Sequence, residues 1–316
     1  MTSPIFATEP PMPVNPHPSR VVLFGEVLAD VFPDGSVLGG APFNVARHLQ
    51  AFGCEPVLLS RVGDDALGRQ VLARMAGSGM QTQGVQRDTQ HPTGQVKVHF
   101  EGGRHRFEIL DQQAYDFMDP SVAQRVKPPQ TPALVYYGTL AQRHEASRHA
   151  LTTLLHNTQA LKFLDVNLRA PWYTEETLAY SLEMAQIVKL NDQELQELAD
   201  LFGMSSGNPH GQAIELMRRF DLAQLVVTCG AEGAWQMGAN SQVVEADACP
   251  LDNAVVDTVG AGDGFAAVYL LGTLRHWPVA LTLARANVFA AALCGIRGAI
   301  PDDLNFYQPF LKAWEQ

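Results

Sequence analysis

The sequence is poor in cysteine, in positive charge and in long apolar runs. Its four cysteines (Cys54, Cys229, Cys249, Cys294) stand far apart in 316 residues, with no Cys-x-x-Cys pair. That argues against a zinc site or a disulfide framework, and buried reduced thiols are the expectation. The ten histidines include no His-Glu-x-x-His spacing. Lys and Arg number 22 against 33 Asp and Glu, a formal charge of −11. Nucleic acid and anionic membranes both call for a basic surface, so neither is expected as a partner. A small anionic ligand held by a few local groups stays open. No uncharged apolar run reaches the ~18–20 residues of a membrane helix. The first residues lack the basic start and continuous apolar stretch of a secretory signal, so a cytoplasmic protein is expected.

What is present is enough apolar material for a large core, at 46% apolar and 17% charged residues. The length suits two domains, or one large α/β domain with additions. Residues 1–19 carry six prolines and no periodic pattern. They read as an extended, poorly ordered arm before a domain over 20–316. Val21-Val22-Leu23-Phe24 and Val57-Leu58-Leu59-Ser60 are short apolar runs, the pattern of strands buried on both faces. Between them, Phe43 to Phe52 has helical spacing and ends at Gly53. A second helix runs from Gly63 through Met75. Runs at 134–137, 163–166, 187–190 and 225–228 continue the rhythm. Residues 264–276 and 279–296 are rich in Ala and Leu and read as two well-buried helices. The alternation predicts an α/β fold with a mostly parallel sheet covered by helices.

The rhythm breaks over about 92–118. Gln95 to Phe100 alternates polar and apolar, Glu101-Gly102-Gly103 offers a turn, and Arg106 to Ile109 continues beyond it. This predicts an antiparallel hairpin with one apolar face. The stretch from Val27 to Val37, around Pro33-Asp34-Gly35, adds two short strands. Both a small lid sheet and an ordinary edge hairpin fit.

Two glycine turns lead into helices. Asp257-Thr258-Val259-Gly260-Ala261-Gly262-Asp263-Gly264-Phe265 removes side chains at a helix N-terminus, where free N–H groups and the dipole suit negative charge. Asp263 could act there as a base toward a hydroxyl, or simply cap the helix. Gly39-Gly40-Ala41-Pro42-Phe43-Asn44 allows a ligand close to the backbone, with Asn44 able to donate and accept. It could also be no more than a tight turn. No Gly-x-x-x-x-Gly-Lys-Ser/Thr sequence occurs, which excludes the common phosphate loop.

These two turns, in this order and spacing, resemble the two motifs of the ribokinase-like (PfkB) family of carbohydrate kinases. Phe24-Gly25-Glu26-x-x-x-Asp30, Asp165-x-Asn167-Leu168-Arg169, Lys189-x-Asn191-x-x-Glu194 and Val227-Thr228-x-Gly230-x-x-Gly233 match further landmarks. The likeness covers about residues 20–301, and Gly25-Glu26 with the Asp165–Arg169 segment resembles the fructokinase branch most.

The resemblance implies a ribokinase-like fold with a small β-sheet lid, formed by about 27–38 and 92–118. It implies transfer of the γ-phosphoryl group of ATP to a sugar hydroxyl. Asp263 matches the catalytic base, and the N–H groups of Gly260, Ala261 and Gly262 match the anion hole. Asp30, Gly39, Gly40 and Asn44 match sugar-binding positions. Asn191 and Glu194 match the motif that organises Mg²⁺, through water, and the phosphates. Thr228, Gly230 and Gly233 match the loop along the nucleotide, with Asn287 at the adenine pocket. Asp257 matches the carboxylate of a K⁺ site. Arg169 falls near substrate and phosphates, where it would steady charge, bind an acidic sugar or form a loop salt bridge. A homodimer through the lid is a further implication.

D-fructose, giving fructose 6-phosphate, is the first expectation for the acceptor. Ribose, 2-keto-3-deoxygluconate and a nucleoside are alternatives. Arg169, Arg104 and Arg106 would suit the keto acid. Phe107 or Tyr115 would suit a nucleoside, although both read as core residues. A catalytically silent sugar-binding regulator is a different class, against which the intact Asp263 turn speaks. A dinucleotide-dependent oxidoreductase would need a Gly-x-Gly-x-x-Gly turn after the first strand, which is missing.

Overall fold

The computed structural model describes residues 20–33, 35–101, 104–121, 132–249 and 255–314. The proline-rich arm, the turn residues Asp34, Gly102 and Gly103, and the side chains of Arg104 and Arg106 lie outside the described parts.

The strands are β1 (Arg20–Phe24), β2 (Leu28–Phe32), β3 (Gly35–Gly39), β4 (Glu55–Gly63), β5 (Val85–Asp88), β6 (Gly94–Glu101), β7 (Arg104–Ile109), β8 (Leu134–Gly138), β9 (Leu161–Asp165), β10 (Ile187–Asn191), β11 (Gln224–Thr228), β12 (Ala234–Gly238) and β13 (Val243–Ala246). Nine form one sheet in the order β13-β12-β11-β10-β9-β8-β1-β4-β5. All its pairs are parallel except the antiparallel β11-β12-β13 edge. The helices are α1 (Ala41–Ala51), α2 (Ala66–Gly77), α3 (Glu145–His156), α4 (Glu175–Met184), α5 (Asp192–Leu201), α6 (Pro209–Phe220), α7 (Ala261–Leu274), α8 (Val279–Leu293) and α9 (Gln308–Trp314).

The apolar runs are continuous because both sheet faces are covered. Successive strand side chains point to opposite faces. Val22, Phe24, Tyr137, Leu164 and Val188 pack with α3 to α6. Val21, Leu23, Tyr136, Phe163 and Ile187 pack with α1, α7 and α8. Each such side chain is worth roughly 1.5–3 kcal/mol on full burial.

The second sheet has the order β3-β2-β6-β7. The expected hairpin is β6-β7, antiparallel, with Val98 opposite Phe107. The two short strands are β2 and β3, also antiparallel, and β2 joins β6 in parallel. Asp30 lies opposite Val37 and Val96, and Val96 lies opposite Ile109. Asp30 therefore shares a face with Val37, Ile109 and Phe107.

Some expectations change. Residues 110–118, the end of the expected lid segment, are a loop and a short 3₁₀ turn (Ala114–Phe117) beyond the hairpin. Phe107 is 54% exposed, whereas Tyr115 is in the core as expected. The helix at 279–296 is not buried all round, because Leu281, Ala284 and Val288 line an exposed side of α8. The four cysteines are unbridged, but only Cys54 is buried. Among the described residues no helix is long and apolar enough to cross a membrane.

Candidate active site

The parallel strands end along one edge, the place where parallel sheets bind ligands. Glu26 follows β1, Asp165 ends β9 with Arg169 just beyond, Asn191 ends β10, and Thr228 ends β11.

The first glycine turn starts α1. Gly40 is its N-cap at φ 105°, and a Cβ there would lie 2.7 Å from the Glu26 carbonyl oxygen. Only glycine fits such a close approach. The Ala41 N–H donates to Glu26 Oε1 at 3.2 Å, so the Glu26 side chain holds this turn while its carbonyl passes close to it. Burial pushes the Glu26 carboxyl up to about 7, with Asp263 adding to the rise and Arg169 opposing it.

Asn44, buried on α1, donates through Nδ2 to Asp263 Oδ2 at 2.7 Å. A carboxylate oxygen only accepts, which fixes the amide's orientation. Asn44 Oδ1 is buried and has no partner among the described residues. Such a group calls for a donor from a ligand or water.

Asp263 is the third residue of α7 and does not cap it. The N-cap is Gly260, at φ 80°, with no side-chain capping bond. A Cβ at Gly260 would sit 2.2 Å from Ala299 Cβ. The capping alternative for Asp263 is thereby overturned: its carboxylate meets Asn44. The first-turn N–H groups lack intrahelical acceptors and form the positive end of the helix. The Ala261 N–H makes only a long 3.3 Å contact with the Thr258 carbonyl. Burial raises the Asp263 carboxyl above its ordinary value and Asp165 adds to this, while Asn44, Lys189 and Arg169 oppose it.

Asp30 is half-buried, with Oδ2 3.7 Å from the point a Cβ on Gly39 would occupy. Burial lifts its carboxyl to about 6, with Arg169 opposing and Asp257 adding. Asp257 accepts from Val259 N–H and Gly298 N–H, both at 3.0 Å. Arg169 is exposed and donates to the Leu168 carbonyl at 2.9 Å. It forms no ion pair among the described residues, so the loop salt-bridge alternative does not hold.

Glu194 is buried rather than a solvated helix charge. Its Oε2 accepts from Asn191 N–H at 2.9 Å, and Asn191 Oδ1 accepts from Glu194 N–H at 2.8 Å. This is a reciprocal cap on α5. Glu194 Oε1 also accepts from Leu168 N–H at 2.8 Å, tying α5 to the Asp165–Arg169 segment.

The remaining predicted residues form a separate wall. Thr228 Oγ1 donates to the Leu190 carbonyl at 3.4 Å. Gly230 and Gly233 make the turn into β12, and Gly233 packs against Ala246 and Ala248. Asn287 Nδ2 donates to the carbonyls of Ala246 and Asp247 at 3.1 and 3.0 Å. Gly233 and Asn287 thus converge on the end of β13, beside the exposed Val288.

Four supporting residues have no role that the sequence alone assigns: Glu26, Asp165, Lys189 and His48. Lys189 Nζ donates to Asp165 Oδ1 at 2.9 Å, and the Tyr136 hydroxyl donates to Asp165 Oδ2 at 3.1 Å. A signal existed: the apolar runs Phe163–Val166 and Ile187–Leu190 each carry one charge, of opposite sign, and buried charges must pair. Neutral His48 lies one turn beyond Asn44, with burial driving its imidazole down to about 3. Its Nε2 contacts the Ala299 carbonyl at 3.1 Å, and its Nδ1 the Tyr307 hydroxyl at 2.8 Å. It therefore braces Ala299 behind Gly260. Nothing local in the sequence pairs His48 with a residue some 250 positions away.

The pfkB family carbohydrate kinase profile matches residues 19–305. A fructokinase of Klebsiella pneumoniae is 28% identical over 295 residues, covering 87% of this chain and 92% of that protein. An uncharacterized sugar kinase of Pyrococcus horikoshii, solved in complex with ATP, superposes with a TM-score of 0.74 at 26% identity, over 88% of this chain and 93% of that one. A double-mutant fructokinase of Vibrio cholerae O395, holding fructose, ADP and potassium, has a TM-score of 0.77 at 23% identity, over 94% and 98%. The sheet order, the two glycine turns and a profile match from the first strand to the last turns converge on one assignment: the chain belongs to the pfkB family of carbohydrate kinases and is a phosphotransferase.

Proposed function

We propose that this sugar kinase transfers the γ-phosphoryl group of ATP to D-fructose, giving fructose 6-phosphate. The observation that carries the reading is the Asn44–Asp263 contact at the N-terminus of α7, with Asn44 Oδ1 left unpartnered beside it. A sugar hydroxyl there would lose its proton to Asp263, while a neighbouring hydroxyl of the same sugar donates to Asn44 Oδ1. The new O–P bond then forms as the Pβ–O–Pγ bridge breaks, and ADP leaves. The N–H groups of Gly260, Ala261 and Gly262 would meet the transferred charge. Asp30, with Gly39 and Gly40 beside it, would bind further hydroxyls. Arg169 would steady charge at the same mouth. Fructose itself is supported by the Klebsiella relative and by the fructose that the Vibrio protein holds.

The nucleotide would lie along Thr228, Gly230 and Gly233 toward Asn287, where exposed Leu281 and Val288 suit an apolar base. Glu194 fits Mg²⁺ only through water, because both its oxygens already accept backbone N–H groups. When bound, Mg²⁺ supplies charge neutralisation to the phosphates. Asp257, half-buried next to the glycine turn, fits the carboxylate of a K⁺ site. The second sheet would act as a lid, since Asp30 lies on its apolar face, and a homodimer would cover Val37 and Phe107. The use of ATP suits a cytoplasmic enzyme; nucleic acid and membrane are not partners in this reading.

The test is ADP release with Mg-ATP and K⁺ against fructose, ribose, 2-keto-3-deoxygluconate, glucose and adenosine. Turnover confined to fructose is the expected result. Turnover with the keto acid instead would move the acceptor to a carboxylate bound by Arg169, and no turnover with any acceptor would overturn the reading.

A further inference from the structure

We propose that Lys189, locked by Asp165, is a positioning residue for the Gly260–Asp263 turn: its buried ammonium supplies fixed positive charge behind the N–H groups that receive the transferred phosphoryl group. The inference rests on the proposed role of that turn. Lys189 and Asp165 are 6% and 0% exposed, so both charges are withdrawn from water. They lie on neighbouring parallel strands, with Lys189 opposite Asp165 in the register. The ion pair at 2.9 Å holds the ammonium in place, and the Tyr136 hydroxyl holds the second carboxylate oxygen. Among the described residues outside the helix's own backbone, the ammonium alone lies within 4 Å of the point a Cβ on Gly262 would occupy, at 3.5 Å. It therefore lies against the backbone of the first turn of α7. A fixed charge in a low-dielectric setting acts on that turn without reorganising during the reaction.

The electrostatics agree. Burial works against the charge on Lys189, yet Asp165 and Glu194 hold it above its ordinary value, with Asp263 adding. Asp263 in turn feels Asn44 from α1, Asp165 from β9, Lys189 from β10 and Arg169 from the loop after β9. Glu26 after β1 and Tyr136 on β8 also lie within its electrostatic reach. Asp165 raises the Asp263 carboxyl and Lys189 lowers it, so the pair acts as two opposed settings on one acid.

Two charge-only variants separate this from a purely structural ion pair. In Lys189→Gln the amide still donates to Asp165, and in Asp165→Asn the amide oxygen still accepts from Lys189. The readouts are the carboxyl ¹³C titration of Asp263, assigned by its loss in Asp263→Asn, and the steady-state constants for ATP and sugar. The proposal expects the Asp263 titration to move up in Lys189→Gln, down in Asp165→Asn, and back toward the wild type in the double variant. It expects kcat of Lys189→Gln to fall about tenfold or more with KM for the sugar little changed. If either single variant unfolds, the double variant, which keeps a neutral hydrogen-bonded pair, is compared with the folded single variant in the same way. An Asp263 titration that stays in place in every folded variant overturns the proposal. Because the titration reads Asp263 directly, it stands even if Asp263→Asn keeps turnover, the result that would sink the base assignment alone.

Discussion

Asn44 and Asp263 are 219 positions apart in the chain and 2.7 Å apart in space. Each sits in the first turns of a helix that follows a glycine turn, and α1 packs directly against α7. The contact brings the two motifs together in one chemical unit. Asn44→Ala should lower kcat/KM for the sugar by about 10–100-fold, the worth of a hydrogen bond to a charged group. It should also move the acidic limb of the pH–rate profile upward, because the Asn44 bond holds the Asp263 carboxyl down. A pH–rate series on the variant checks both.

Gly260 and Gly262 are two positions apart and should respond in opposite ways. Gly260→Ala forces a side chain into φ 80° and against Ala299, so a loss of about 1–3 kcal/mol is expected in denaturant unfolding. Gly262→Ala meets only Lys189 Nζ, at ordinary contact distance, so it should fold normally. Its methyl group would occupy the side of the turn that the Lys189 ammonium faces, and turnover should fall while stability holds.

Glu26 makes stability depend on pH. Its folded-state value of about 7 lies above the ordinary 4.5, so the folded chain keeps a proton there that the unfolded chain has lost. The stability tied to this group is full below pH 4.5 and is lost as pH rises through about 7. Glu26→Gln keeps an acceptor for the Ala41 N–H and removes the titration. Relative to wild type it should gain on the order of 3 kcal/mol between pH 4.5 and 8, measured by urea unfolding at both values.

The second sheet carries exposed Val37 and Phe107 on the face that bears Asp30. Light scattering at micromolar concentration should give twice the 34.5 kDa chain mass. Phe107→Glu should shift it to the single-chain mass. A single-chain mass for the wild type would remove the dimer from the account.

The main sheet was legible because its central strands are short apolar runs with both faces buried, as in Val21 to Phe24. The β6-β7 hairpin was legible from its alternation. The four-residue β5, Val-Gln-Arg-Asp, has no distinctive pattern and is defined by pairing with β4. The β12-β13 edge also went unread, since its place depends on antiparallel pairing to β11. In the site, the two glycine turns announced themselves through local backbone needs. Glu26 did not, and Asp165 and Lys189 showed only as lone opposite charges in two apolar runs, because a buried charge is explained only by partners that the fold supplies. Asn287 shows the same limit: it joins α8 to β13 across some 40 residues.

The central claim is that Asp263 takes the proton of a sugar hydroxyl during phosphoryl transfer from ATP. The most direct measurement pairs turnover with sugar binding for Asp263→Asn, using the acceptor that the wild type prefers. The account predicts that turnover falls by about 10³-fold or more while the sugar dissociation constant stays within a few-fold. Near wild-type turnover in this variant would contradict it.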